Sequence, residues 1–197
     1  EPITTKERRE AGNDLHAYGL CSMQGYRPSM EDAHMPCLDL GDKGLSFFAV
    51  FDGHGGAEVA HYAAQHLHEL VRSEPTFAGE NVDLPAALRN AFMRIDRDLQ
   101  TEEARLQINT ILRTLSAKRA AEAASRAQVQ QQQPPRPGYR PRPRYVSQGE
   151  RDEPLQYDPG DVLRAGCTSV VALVDRNDLW CANAGDSRCV LSRRGKA

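Results

Sequence analysis

Apolar side chains come in short bursts over residues 18–51, at 20–23, 33–40 and 45–51, and Gly25, Pro28, Gly41 and Gly44 separate them. Bursts of that length between turn formers predict three strands. The third, Leu45-Ser46-Phe47-Phe48-Ala49-Val50-Phe51, is almost continuously apolar and is expected to be central, covered on both faces. The period then changes. After Asp52-Gly53-His54-Gly55-Gly56, residues Val59, Ala60, Ala63, Ala64, Leu67, Leu70 and Val71 recur at helical spacing. Asp83 ahead of Leu84 and Pro85 joins a capping carboxylate to a first-turn proline. Leu84, Leu88, Ala91, Phe92, Ile95 and Leu99 then mark one face of a second helix. Its composition runs on through Ile108, Ile111, Leu112 and Leu115 into the Ala/Glu/Arg-rich residues 117–127. Later, strands are predicted over 167–174, 179–184 and 187–191, with turns at 175–178 and at Gly185-Asp186, which makes an antiparallel meander. Residues 1–16 are polar with little periodicity; they form a lead-in that need not be ordered, so structure is expected to begin near Tyr18.

Composition divides the chain further. Residues 128–144 hold five Gln, five Pro and four Arg without one acid. Such a stretch buries too little to offset its ordering entropy, so residues 128–161 are expected to be a flexible or polyproline-like insert. The expected organisation is a lead-in (1–16), a first part of a folded domain (17–127), the insert (128–161) and continuing strands of the same domain (162–197). The net charge of −2 hides a basic insert on an acidic body. It supplies no field that would hold the chain to nucleic acid or anionic lipid. No run approaches the roughly 18 apolar residues that span a bilayer. Five scattered cysteines without a C-x-x-C pair suit a reducing compartment, the cytoplasm or the nucleus. The start at Glu1-Pro2 has no initiator Met and looks cut or processed.

Two acidic clusters carry candidate chemistry: Glu31-Asp32 at the start of one predicted strand, and Asp52-Gly53-His54 at the end of another. Carboxylates at strand ends beside a glycine, whose carbonyl is unshielded, suit a hard, oxygen-seeking cation such as magnesium or manganese. The same residues also suit a solvated turn and a helix cap, and spacing does not choose between these. Arg27, four residues before Glu31, is placed to grip a phosphate in bidentate fashion or to be an ordinary surface arginine. His54 lies between glycines, where the backbone can come close to a ligand, and its imidazole can hold or hand over a proton, which leaves acid catalysis and helix-start packing both open. The glycine-rich turn is not G-x-x-x-x-G-K-[ST], which argues against a nucleotide loop. His61 and His68 share a helical face that His66 does not, and no H-E-x-x-H occurs, so a solvated or half-buried helix face is favoured over zinc. Neither G-x-S-x-G nor an H-R-D-type motif is present.

Taken in order, the motifs decide more than single clusters. Tyr18-Gly19-Leu20-Cys21-Ser22-Met23-Gln24-Gly25-Tyr26-Arg27, Met30-Glu31-Asp32-Ala33-His34, Val50-Phe51-Asp52-Gly53-His54-Gly55-Gly56, Ala165-Gly166-Cys167-Thr168-Ser169 and Asn183-Ala184-Gly185-Asp186-Ser187-Arg188 closely resemble the metal-dependent Ser/Thr protein phosphatases of the PPM, or type 2C, family. The match covers about residues 17–100 and 162–197. The resemblance implies an α+β fold in which two antiparallel sheets pack as a sandwich flanked by helices, with an edge cleft for two Mn or Mg ions. It implies that Asp52 bridges the ions, that Glu31 and the Gly53 carbonyl complete one site, and that Asp32 orients a water at the metal. Arg27 would grip the phosphate, and His54 would protonate the departing Ser or Thr oxygen. Asp186 would join a weaker outer metal site or simply satisfy turn amides. Phosphorylated proteins are the implied substrates, hydrolysed by a water attacking in line without a phosphoenzyme.

The chain also departs from that pattern. The family's later D-G-x-x-D and D-N aspartates, ligands of the second ion, occur nowhere in residues 1–197. The expectation is the N-terminal part of a phosphatase domain, with an incomplete sandwich, unpaired strand edges and little activity alone. The competing class is a non-catalytic, phosphatase-like regulatory protein whose Pro134-Pro135-Arg136-Pro137 recruits an SH3-like or acidic partner. RNA binding through Arg136, Tyr139, Arg140, Arg142 and Arg144 is weaker still, and no nucleic acid is expected.

Overall fold

The computed structural model describes residues 2–41, 43–79, 81–131, 157–158 and 163–197. In chain order the first elements are β1 (Ile3–Gly12), β2 (Ala17–Gly25), β3 (Ala33–Cys37), β4 (Ser46–Phe51) and β5 (Gly53–His54). Three helices follow, α1 (Glu58–Ser73), α2 (Leu84–Asp98) and α3 (Glu102–Gln131), with a short 3₁₀ turn over Pro75–Phe77 between the first two. The chain continues with β6 (Gly166–Cys167), β7 (Ser169–Val174) and β8 (Leu179–Ala184). This is an α+β fold, and all its strand pairs are antiparallel.

The main sheet has the order β3-β4-β7-β8, so the strand expected to be central is central. Phe47, Ala49 and Phe51 of β4 point one way and are buried with Val171 and Leu173 of β7. Against them lie Ala60, Ala63, Ala64, Leu67 and Val71 of α1, whose small side chains let helix and sheet approach closely. The other face is thinly covered, contrary to the expectation of burial on both sides. There Tyr18 packs on Phe48 at 5.9 Å and His16 Nδ1 bonds Ser46 Oγ at 2.8 Å, while Val50 is 46% exposed. These contacts come from the turn end of the β1–β2 hairpin.

That hairpin corrects the expectation for residues 1–16. β1 pairs with β2 from Gly12↔Ala17 to Lys6↔Met23, although every β1 residue beyond Ile3 is exposed. Backbone ladders need no apolar side chains, so a polar strand gives no periodic signal. Asn13 fixes the turn: its Oδ1 accepts from the amides of Leu15 and His16 at 3.0 and 2.8 Å, and its Nδ2 donates to Leu38 O at 3.0 Å.

α2 starts as its sequence predicts, with Asp83 Oδ1 accepting from the Ala86 amide at 2.9 Å. Replacing Asp83 with Ala should therefore cost about 1 kcal/mol, read as a lower urea midpoint with an unchanged m-value. The predicted continuous helix breaks at Thr101, whose Oγ1 donates to Asp98 O at 2.6 Å and accepts from the Ala104 amide at 3.2 Å. One hydroxyl thus closes α2 and caps α3. The apolar period runs through the break because Ala104, Ile108 and Leu112 of α3 bury against Tyr62 of α1.

Two further expectations change. Residues 128–131, placed in the insert by composition, end α3, and Tyr157 is buried within the α1–α3 core. The stretch 132–156, with its Pro/Arg motif, lies outside the described residues. Residues 187–191 form no strand. Val190 and Leu191 are exposed, and beyond β8 the chain makes only a bridge between Arg193 and Lys196.

Candidate active site

The strand ends at one edge of the sheet gather the predicted residues. Arg27 sits in the turn after β2, where Gln24 Nε2 donates to the carbonyls of Arg27 and Pro28 at 2.9 and 3.1 Å. Glu31 and Asp32 lead into β3, and Ser29 Oγ donates to Glu31 Oε1 at 2.8 Å. Asp52 stands between β4 and β5. It is not the helix cap, since α1 has Ala57 at its N-cap without a side-chain bond.

Two backbone features bring these segments together. Gly53 is buried against the Glu31 carbonyl, and a methyl group there would strike that oxygen. On the other side the Thr168 amide donates to Asp52 O at 2.9 Å and the Asp52 amide to Thr168 Oγ1 at 3.4 Å. Thr168 Oγ1 in turn bonds Ser187 Oγ at 2.6 Å. Gly185, at φ 110°, packs on the Thr168 side chain. The three motifs around Asp52, Thr168 and Ser187 therefore form one bonded unit, with exposed Asp186 at its rim.

The Asp32 and Asp52 carboxyls, one leading into β3 and the other following β4, lie near enough for their charges to interact. Partial desolvation, then the Asp52 charge, push the pKa of the Asp32 carboxyl above its ordinary value, while Arg27 opposes the shift. Like charges brought together in this way are relieved by a proton or a cation. Their hard oxygens suit a divalent cation, with Glu31 alongside. Among the described residues no group of three or more His, Cys, Asp or Glu converges on a metal position, so the donor set fits such an ion in part, as a pair rather than a closed shell.

His54 lies in β5, paired with Gly166 of β6. A Cβ on Gly166 would come within 2.7 Å of His54 Nε2, so the imidazole occupies the space that this glycine leaves. Cys167, next along, has its thiol pushed up to about 11 by burial and then by the Asp52 charge, which holds it protonated rather than as a thiolate nucleophile. A groove of about 1230 Å³ runs from Arg27, Glu31 and Asp32 past His34 and His61 to Lys118 and Arg119 of α3. Burial lowers the pKa of both histidines, and Lys118, His34 and Arg119 press His61 further the same way. His68 also lines this groove, whereas His66 stacks on Tyr62 at 4.3 Å.

Sequence reasoning missed the connectors. Thr168 and Ser187 were visible as motif letters without a role, and Ser29 and Gln24 gave no signal. Glu58 did give one: it is an acid inside the apolar stripe of α1, and it is 2% exposed.

A sheet with helices packed on one face and paired carboxylates at its strand ends is the class that fold and site define. The sequence pattern of the family described as Protein phosphatase 2C matches residues 16–117 and 117–197. "Probable protein phosphatase 2C 21" of Arabidopsis thaliana is 36% identical over 199 residues, covering 100% of this chain and 52% of that protein. "Probable protein phosphatase 2C 11" of Oryza sativa subsp. japonica is 38% identical over 200 residues, covering 100% and 51%. "Protein phosphatase 2C homolog 2" of Schizosaccharomyces pombe is 33% identical over 203 residues, covering 100% and 40%. The chain belongs to the protein phosphatase 2C family, and it spans about half the length of the curated relatives it matches.

Proposed function

We propose that this chain supplies one wall of the active site of a metal-dependent protein Ser/Thr phosphatase. The observation that carries the reading is the packing of Gly53 on the Glu31 carbonyl, which brings Glu31-Asp32 and Asp52 together where two strand ends meet, with the Arg27 charge acting on Asp32. Asp52, Glu31 and the Gly53 carbonyl would hold Mn²⁺ or Mg²⁺, with Asp32 behind them and Asp186 at an outer position. When bound, such an ion neutralises phosphate charge and lowers the pKa of a neighbouring water. Arg27 binds the phosphate oxygens through its guanidinium and orients the ester. His54, on a short strand backed by Gly166, gives a proton from its imidazole to the Ser or Thr oxygen as the P–O bond breaks. Because no three ligands converge among the described residues, and the relatives are about twice as long, the activity is proposed for the whole protein rather than for these 197 residues alone.

The test uses the full-length protein with a phosphothreonine peptide. Chelation should abolish turnover, and Mn²⁺ or Mg²⁺ should restore it. His54→Gln should lower kcat on the peptide by about 10²-fold but leave p-nitrophenyl phosphate, whose leaving group needs no proton, almost untouched. Turnover that survives chelation defeats the proposal.

A further inference from the structure

Tyr157 is buried between α1 and α3, and its bonds span distant segments of the chain. Its amide donates to Asn109 Oδ1 and its carbonyl accepts from Asn109 Nδ2, both at 2.8 Å, so one side chain of α3 grips the Tyr157 backbone at both polar atoms. The phenol donates to Glu58 Oε1 at 2.9 Å and accepts from the Arg164 amide at 3.3 Å. Burial, then the Glu58 bond, raise the pKa of this phenol, which keeps it a donor. Tyr157, Asn109 and Glu58 are 6%, 8% and 2% exposed.

The two partners of the phenol lie at opposite ends of the structure that carries His54. Glu58 begins α1, and its carboxylate folds back onto Gly56 so closely that a Cβ there would collide with it. Arg164 leads into β6, and its carbonyl abuts Gly55, which holds φ +71° to allow the approach. Two residues beyond Arg164, Gly166 pairs with His54 and receives its imidazole.

We infer that Tyr157 is a positioning residue: a buried Asn109–Tyr157–Glu58 latch fixes the β6 segment against the glycine loop and so sets the imidazole of His54. The inference rests on the reading of His54 as proton donor. A buried carboxylate that loses the phenol as a donor must find another or move, and either change shifts the loop it caps. Tyr157→Phe keeps the ring in its apolar seat and removes only the hydroxyl.

In the full-length, metal-loaded protein, Tyr157→Phe should lower kcat on a phosphothreonine peptide by about 10-fold with KM within about twofold, and change turnover of p-nitrophenyl phosphate by less than about twofold. Asn109→Ala, which frees the other end of the latch, carries the same expectation. Backbone amides over 164–166 should exchange hydrogen faster in both variants while the main sheet keeps its protection. Equal loss on the two substrates, or no loss on either, overturns the latch. When His54→Gln shows the leaving-group bias and Tyr157→Phe does not, the latch alone falls. When His54→Gln itself shows no bias, the proton-donor reading falls and takes the latch with it.

Discussion

Asp52→Asn in the full-length protein is expected to abolish phosphopeptide turnover, by about 10³-fold or more, while leaving the fold intact. The substitution is isosteric and at an exposed position, and the backbone bonds from Asp52 to Thr168 do not involve the carboxylate. What changes is charge. The anion that raises the Asp32 pKa disappears, so the repulsion between the two side chains is relieved and the melting temperature without metal should stay level or rise slightly. The cation loses its central ligand at the same time. Mn²⁺ that raises the wild-type melting temperature by mass action should therefore raise that of the variant much less. Thermal melts with and without Mn²⁺ then separate lost binding from lost folding. A folded variant that keeps both its thermal response and its turnover would remove Asp52 from the site, and with it the proposed function.

How much of this is legible in sequence depends on whether a signal is local. The start of α2 is read to the residue, because Asp83 and Pro85 act within one turn. The central place of β4 follows from its apolar run, but not the exposure of Val50, which depends on what covers the far face. β1 escapes notice because all its stabilisation is main-chain pairing. The break at Thr101 is hidden because the apolar faces of α2 and α3 continue in phase across it, toward neighbours that differ. At the site, Arg27, Glu31, Asp32, Asp52 and His54 stand out as chemistry beside turns, and the ordered resemblance adds Asp186. That Gly53 packs on the Glu31 carbonyl, and that Thr168 ties Asp52 to Ser187, are long-range facts with no sequence period behind them. Tyr157 fails for a different reason. A single anchoring aromatic is averaged away in a window dominated by Gln, Pro and Arg.

Gly53→Ala should do what Asp52→Asn does not, and damage fold and turnover together. Gly53 is buried and pairs with Cys167, so both its neighbours in space are main chain. An added methyl would meet the Glu31 carbonyl oxygen and lie 3.1 Å from Gly56 O. Neither obstacle can rotate aside as a side chain would, so the Glu31 segment and the glycine loop must part. Overpacking of this kind costs about 1–3 kcal/mol, seen as a lower denaturation midpoint. The displacement falls between Glu31-Asp32 on one segment and Asp52-His54 on the other. A misplacement of about 1 Å between groups that must act together lowers turnover by about 10²-fold, even though every acid and base is still present. Mn²⁺ affinity should weaken with it, because the ligands come from both sides of the gap. An alanine variant with unaltered midpoint, metal response and kcat would mean that the two segments do not touch at Gly53. The juxtaposition of Glu31-Asp32 with Asp52-His54 drawn from that contact would then have to be abandoned, whatever Asp52→Asn had shown.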